Sequence, residues 1–169
     1  MDGIVTLTNV RKRVIFLLFF SIAMADVEAM IVVYLRKFVP LEWWEKTTSY
    51  AELIRLIRDT GIMWSEQTRE FATIVMLGTV AYLFGRNLRE RWAGFLISFG
   101  IWDIFYYIFL YVWIRWPSSL LTWDVLFLIP LPWVSPVLVP VLISCIMIAW
   151  GFLLLKKVTV SGRIISNGL

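Results

Sequence analysis

Long apolar stretches alternate with short charged ones along this chain, and that pattern predicts helices that cross a membrane. There are four such stretches, covering about residues 14–38, 65–85, 92–114 and 136–155. Each is close to the ~20 residues that a helix needs to cross the hydrocarbon core. Pro40, Gly85 and Pro117 mark the ends of the first three. The pattern predicts an all-α integral membrane protein, a four-transmembrane-helix bundle formed as a single domain over residues 1–169.

Two shorter segments do not fit this pattern. Between the first two spans, Ser49 and Glu52 have the spacing of a helix capping box, and apolar residues follow. This predicts an amphipathic helix over about residues 50–59, on the outer side of the membrane. Residues 119–131 form a mainly apolar run that is too short for an ordinary span and contains tryptophan and proline. We expect an interfacial helix or a shallow re-entrant segment there, and a fifth span is the alternative.

Composition agrees with a membrane protein and limits the chemistry. The chain has 169 residues, of which 60% are hydrophobic, and a mean hydropathy of +0.81, whereas soluble domains are about half apolar. Cys145 is the single cysteine, which excludes an intramolecular disulfide. The chain has no histidine, the usual ligand of haem and of soft metals. We therefore expect neither a haem nor a soft-metal site, and the sequence identifies no cofactor, no metal ligands and no catalytic residues.

Positive charges beside the apolar stretches predict the topology. With four spans, one side of the membrane carries the unbalanced basic residues, which are Arg11, Lys12, Arg13, Arg86, Arg89, Arg91, Lys156, Lys157 and Arg163. Such basic segments stay in the cytoplasm, so we expect a multi-pass protein of the cytoplasmic membrane with both termini in the cytoplasm. The net charge of +4 then reflects topology and contact with anionic lipids of the bilayer, and not nucleic-acid binding.

Three acidic residues, Asp26, Glu28 and Asp103, lie inside the predicted spans. A charge at the centre of a span costs ~2.5–3.5 kcal/mol, so these carboxylates should face protein, water or one another. Asp26 and Glu28 are two residues apart, which places them on different sides of one helix. Glu28 lies beside a stripe of small residues that includes Ala25 and Ala29, which predicts a close helix–helix contact. Asp26 is expected to face a second neighbour or a cavity toward Asp103, so the first helix should be central.

Tyrosines lie near Asp103 in the third predicted span. Tyr106 and Tyr107 are one turn further along, and Tyr34 on the first helix is another candidate neighbour. Because tyrosine hydroxyls donate hydrogen bonds to carboxylates, the sequence predicts a carboxylate–tyrosine cluster near mid-membrane. Two interpretations stay open. The cluster either holds helices together, at ~0.6 kcal/mol for each hydrogen bond, or forms a site for a proton, a cation or a ligand.

Four further charged residues complete the candidate ligand- or ion-binding residues. Arg36 and Arg115 lie near the outer boundary, where an arginine more often extends its guanidinium group to the lipid headgroups. Glu70 lies at the start of the second span and is placed to pair with either arginine. Asp124 lies in the segment 119–131, where a helix start or an ion-facing turn would suit a carboxylate equally well.

Four stretches of the chain together form a distinctive signature. They are VEAMIVVYLRK, FATIVMLGTVAYLFGRN, FGIWDIFYYIFLY and WPSSLLTWDVLFLIPLPWVSPVL. With the pattern VEAxxVVYLR, WDxFYY and WPSSLLTWDxLFLIPxPW, the chain resembles a family of small, functionally uncharacterised prokaryotic polytopic membrane proteins. The resemblance covers all the spans but not the outer connection or the two tails. It implies a membrane fold and no particular activity.

The sequence leaves three function hypotheses open. The first is a non-enzymatic binding module or accessory subunit, whose buried carboxylates and tyrosines hold the helices together or bind a ligand or a membrane-complex partner. The second is a proton- or cation-coupled transporter of small solutes, working as a homo-oligomer because four helices enclose little space. The third is an intramembrane enzyme that acts on a lipid-like substrate through Asp103 and Asp124. The first is preferred, because the chain has no known catalytic motif.

Overall fold

The computed structural model describes residues 2–38, 55, 61, 63–129 and 132–166. Within these ranges the chain forms four helices and one β-hairpin. The elements are α1 (Asp2–Phe38), α2 (Met63–Phe84), α3 (Leu88–Ile114), β1 (Trp123–Phe127), β2 (Trp133–Pro136) and α4 (Leu138–Ser166). Apart from Arg55, the predicted amphipathic helix over about residues 50–59 lies outside the described residues.

Three of the described helices are long and apolar enough to cross a membrane. These parts are Val10–Lys37 of α1, Leu88–Ile114 of α3 and Leu138–Lys156 of α4. A helix is also present where the second span was predicted, but α2 carries Glu66, Arg69 and Glu70 in its first two turns. These charged residues lower the hydropathy of α2. The chain is therefore a mostly helical protein with three helices suited to spanning a membrane.

The turn between α2 and α3 is fixed by a reciprocal cap. Asn87 accepts a hydrogen bond from the backbone N–H of Glu90 at 2.9 Å, and the Glu90 carboxylate accepts one from the backbone N–H of Arg86 at 3.0 Å. Side chains thereby satisfy backbone N–H groups that a helix start leaves without partners. Gly85 is required here, because a Cβ at this position would lie 2.3 Å from the backbone nitrogen of Arg91. The chain therefore reverses direction within the three residues between α2 and α3.

The helices run in alternating directions, which brings the basic residues to one end. Arg13 near the start of α1 bonds the Glu90 carboxylate at 2.8 Å and also the carbonyl of Phe84, where α2 ends. Gly151 in the middle of α4 packs closely on Ala93 near the start of α3. The end of the molecule defined by these contacts, the basic end, carries Arg11, Lys12, Arg13, Arg86, Arg89, Arg91 and Lys156.

Helix α3 is the central helix, which corrects the expectation that the first helix is central. It packs against α1, α2 and α4, whereas α1 contacts α4 only slightly. Gly100 of α3 allows the close approach of α4, since a Cβ there would lie 2.7 Å from the Ser144 carbonyl. On the other side, the predicted small-residue stripe of α1 is fully buried at Ala25 and Ala29. Ala25 packs in a cluster with Trp102 of α3.

The segment before α4 is a β-hairpin in its described residues, so the expected interfacial helix and the alternative fifth span are both wrong there, whereas a shallow re-entrant position in the membrane stays a prediction. β1 pairs antiparallel with β2, with Asp124 opposite Ser135 and Val125 opposite Val134, and the register shifts after Val125. Aromatic and β-branched residues favour extended strands, and Pro132 before β2 and Pro136 at its end disfavour helix. The hairpin joins α4 through the backbone N–H of Leu138, which donates to the Leu120 carbonyl at 2.8 Å.

Candidate functional site

A cavity of about 410 Å³ lies between the helices and the hairpin, away from the basic end. This volume falls within the ~300–1,000 Å³ typical of ligand pockets. All four helices and both strands contribute to its wall. The described lining residues are Glu28, Val32, Leu35, Arg36, Glu66, Arg69, Glu70, Thr73, Phe95, Phe99, Trp102, Asp103, Tyr106, Tyr107, Asp124, Val125, Leu126, Phe127, Leu128, Trp133, Pro140, Ile143, Ser144 and Met147.

Ion pairs hold α1 against α2 at one wall of this cavity. The guanidinium of Arg69 pairs with the carboxylate of Glu28 and bonds that of Glu66 at 2.7 Å and 2.9 Å. Thr73, one turn after Arg69, donates to Glu28 at 3.4 Å. Glu28 is 6% exposed, and a buried carboxylate is tolerated when it is paired and hydrogen-bonded. One arginine therefore compensates two acids from different helices.

Glu70 fastens the hairpin to α2. Its carboxylate accepts a hydrogen bond from the backbone N–H of Leu128 at 2.8 Å, just after β1. The backbone of Ile129 is a second donor to the same group. Gln67, one turn earlier, donates to the Leu128 carbonyl at 3.5 Å. The carboxylate thus caps the end of β1. Glu70 therefore holds the hairpin backbone and also lines the cavity.

The predicted carboxylate–tyrosine cluster exists with different partners. Asp103 accepts a hydrogen bond from the Ser144 hydroxyl of α4 at 2.8 Å. Tyr107 instead donates to Asp124 of β1, at 3.1 Å. Tyr106 stacks edge-on against Tyr107, with ring centroids 5.1 Å apart. Asp103 and Asp124 are close enough to repel each other electrostatically, so two carboxylates from distant parts of the chain share one wall.

Asp124 sits in the hairpin wall, and burial raises its pKa from the ordinary 3.8 to about 6. The positive charge of Arg36, the Tyr107 hydroxyl and the backbone N–H of Val125 act against that rise. Arg36 is itself buried at the end of α1, with its guanidinium 3.7 Å from the ring centroid of Trp116. The cation therefore lies inside the protein, which differs from the expectation that it reaches the headgroups.

An aromatic wall also lines the cavity. It consists of Phe99, Trp102, Tyr106 and Phe127, whose neighbouring ring centroids lie 5.4 to 6.4 Å apart. Trp102 is 5% exposed. Its indole Nε1 has no hydrogen-bond partner among the residues that the structure describes. A buried indole N–H usually has an acceptor, so this donor is a feature of the site that needs explanation.

Three of the predicted site residues lie outside the cavity. Asp26 accepts a hydrogen bond from the exposed Trp113 of α3 at 3.1 Å, so of its two expected surroundings it contacts a second neighbouring helix and does not line the cavity. Glu28 faces the cavity, and the residue two positions earlier points to another side of α1. Tyr34 is 53% exposed and lies beside Lys37. Arg115 is exposed at the end of α3, where it adopts the left-handed conformation with φ 56°.

The residues of the site that were not singled out from the sequence include Glu66, Arg69, Thr73, Trp102 and Ser144. A signal exists for those on α2, because Glu66, Arg69 and Thr73 are three and four residues apart and share one helix face. Charges on one face at the start of an apolar helix indicate a buried polar contact. Ser144 and Trp102 carry no comparable signal, since serine and tryptophan are common in apolar helices.

The described lining residues carry an excess of negative charge. They include five carboxylates, on Glu28, Glu66, Glu70, Asp103 and Asp124, and two guanidinium groups, on Arg36 and Arg69. In the described part of the chain, no three acidic or cysteine side chains converge as metal ligands would. The site therefore combines hydrogen-bond acceptors, aromatic faces and surplus negative charge without a set of metal ligands in the described ranges.

Comparisons with known proteins add no assignment to this site. No protein-family profile, curated protein or solved structure matches the chain. The resemblance to a family of small prokaryotic membrane proteins therefore stays a prediction.

Proposed function

We propose that this chain is a non-enzymatic, multi-pass protein of the cytoplasmic membrane that binds a small molecule in the cavity. The observation that carries the proposal is the cavity itself, at about 410 Å³. Ligand sites combine a mostly apolar wall with a few converging polar groups. Here aromatic and aliphatic side chains form most of the wall, and polar groups from all four helices and β1 converge on it.

The same proposal includes four membrane spans, with α2 as the fourth. Residues 71–84 of α2 contain no charged side chain, and Arg69 and Glu70 before them have partners inside the protein. Charges that are paired in the bundle interior are tolerated in a membrane. The basic end would then face the cytoplasm, which puts both termini there and the cavity in the outer half of the membrane.

Native mass spectrometry of the purified protein tests whether the cavity is occupied by a small molecule. The protein is extracted in a mild detergent, and the small molecules that it retains are released and identified. Val32→Phe places a large ring in the cavity, because Val32 lines it. Val27→Phe is the matched control, since Val27 lies on the same helix and is 62% exposed on its outer face.

The proposal predicts a retained molecule in the wild type and in Val27→Phe, and at least a several-fold lower occupancy in Val32→Phe. Thermal unfolding midpoints of the three proteins establish that Val32→Phe is folded. Equal retention in all three, or no retained molecule in any of them, contradicts a ligand-binding cavity.

A further inference from the structure

The two arginines of the cavity wall are already engaged by the protein. Arg69 pairs with Glu28 and Glu66, and its positive charge also acts on Glu70. Arg36 stacks on Trp116 and acts electrostatically on Asp124. The guanidinium groups therefore serve to compensate these carboxylates and are not available for an incoming anion.

Two of the carboxylates are held by neutral donors. In the described part of the chain, Asp103 is bonded to the Ser144 hydroxyl and Glu70 to backbone N–H groups. A carboxylate keeps acceptor capacity after one such bond, because its two oxygens carry about four lone-pair sites. Asp103 is 7% exposed, so bulk water contributes little to its solvation. The cavity therefore has room for a positive charge near Asp103.

The aromatic wall suits the same kind of ligand. Phe99, Trp102 and Tyr106 line the cavity together with Asp103. Faces of aromatic rings attract cations within about 6 Å of the ring centroid, and tryptophan attracts them most strongly. Rings also provide apolar contact for the carbon atoms of an organic ligand. An inorganic ion would leave that surface unused, and no convergent set of metal ligands lies in the described ranges.

The indole N–H of Trp102 adds a second requirement. It is a donor only, it is buried, and it has no acceptor within the described residues. Leaving a buried donor unpaired is unfavourable, because its hydrogen bond to water is lost without replacement. A ligand atom with a lone pair would satisfy it.

We propose that the cavity binds an organic ammonium ion that also carries an oxygen acceptor. The charged nitrogen lies near Asp103 and the aromatic faces, and the oxygen lies near Trp102 Nε1. This inference rests on the proposed function and specifies its ligand class. The observations behind it are the surplus carboxylates, the aromatic wall and the unpaired indole donor.

Three probe molecules of similar shape separate the two requirements. Acetylcholine has both a quaternary ammonium and an ester oxygen, and its charge does not depend on pH. Its carbon analogue 3,3-dimethylbutyl acetate keeps the ester but is neutral. Pentyltrimethylammonium keeps the charge but lacks the oxygen. Binding of each to the purified protein in detergent is measured by isothermal titration calorimetry.

We expect acetylcholine to bind at least about tenfold more tightly than the neutral ester, because the ester cannot pair with a buried carboxylate. Asp103→Asn should reduce acetylcholine affinity by about the same factor and leave the ester unaffected. Trp102→Phe keeps a ring but removes the donor, so it should weaken acetylcholine about fivefold more than it weakens pentyltrimethylammonium. Asp26→Asn is the matched control, since it removes a carboxylate outside the cavity.

Preferential binding of the cation that is lost in Asp103→Asn and kept in Asp26→Asn supports the inference. If the neutral ester binds as tightly as acetylcholine, the inference is wrong but the cavity still binds ligands. If no probe binds while mass spectrometry finds a molecule that Val32→Phe loses, the ligand class is wrong and the proposed function stands. If no probe binds and no molecule is retained, both are wrong. The preference in the wild type decides the question even if a variant fails to fold.

Discussion

The ion pair between Glu28 and Arg69 is the residue-scale feature that holds the site together. It connects α1 with α2, and Glu66 adds a second carboxylate to the same guanidinium. Removing one partner from a buried pair leaves an uncompensated charge, which is the main cost of such a change. Glu28 and Arg69 are not equivalent in this respect, because Arg69 would keep Glu66 if Glu28 were lost, whereas loss of Arg69 would strand both acids.

We therefore predict that Arg69→Gln destabilises the protein by about 3 kcal/mol, and that Glu28→Gln destabilises it less. The double variant should be more stable than Arg69→Gln alone, since it strands one acid fewer. Free energies of unfolding come from titration with sodium dodecyl sulfate. Asp26→Asn is the control, with an expected change within about 0.5 kcal/mol for a partly exposed position. Additive losses in the double variant would show that the two residues are not coupled.

At this scale the sequence identifies which acids need partners but not which partners they find. Glu28 and Asp103 stand out because a charge in an apolar helix is costly. Their partners Arg69 and Ser144 lie on helices that are distant along the chain, so only tertiary packing decides the pairing. Asp26 illustrates the limit, because helical geometry separates it from Glu28 but does not say which of the two faces the cavity.

At the scale of elements, the apolar pattern predicts the four helices well and the hairpin poorly. Long apolar stretches have few alternatives to helix, because the backbone must satisfy its own hydrogen bonds in lipid. The segment 123–136 is short and mainly apolar, and a short apolar run is compatible with either a helix or a strand. The hairpin is stabilised by contacts that the local sequence does not reveal, such as the bond from the Leu128 N–H to Glu70.

Close packing between α3 and α4 gives the prediction at this scale. Gly100→Ala should destabilise the protein by ~1–3 kcal/mol, because the added Cβ would meet the Ser144 carbonyl and the Ile148 side chain at 2.7 Å. Gly78→Ala is the matched control in α2, where a Cβ would meet no described atom within 4 Å. That change should be neutral or stabilising by up to ~1 kcal/mol, since alanine favours helix. Thermal unfolding midpoints distinguish the two, and equal midpoints would contradict the close α3–α4 contact.

At the scale of the whole molecule, the alternating helices separate a basic end from the cavity end. Arg13 binds Glu90 across the basic end, so the start of α1 and the α2–α3 turn lie together. The hairpin closes the opposite end, where α3 finishes and α4 begins. The position of the molecule relative to a bilayer depends on α2. If α2 crosses the membrane, the basic end and the cavity end lie on opposite sides of it. For that arrangement we propose that the basic end faces the cytoplasm, as the charge pattern predicts.

Single cysteines at the two ends of α2 test this arrangement. In a Cys145→Ser background, Trp64→Cys places a thiol at the start of α2, and Arg89→Cys places one just after its end. Both positions are exposed, Trp64 by 80%. We predict that a membrane-impermeant maleimide labels Arg89→Cys in inverted membrane vesicles and Trp64→Cys in right-side-out vesicles. Labelling of both from one side would mean that α2 does not cross and that the chain has three spans. Labelling of Trp64→Cys in inverted vesicles and of Arg89→Cys in right-side-out vesicles would keep four spans. It would place the termini outside, because the basic end would then lie away from the cytoplasm.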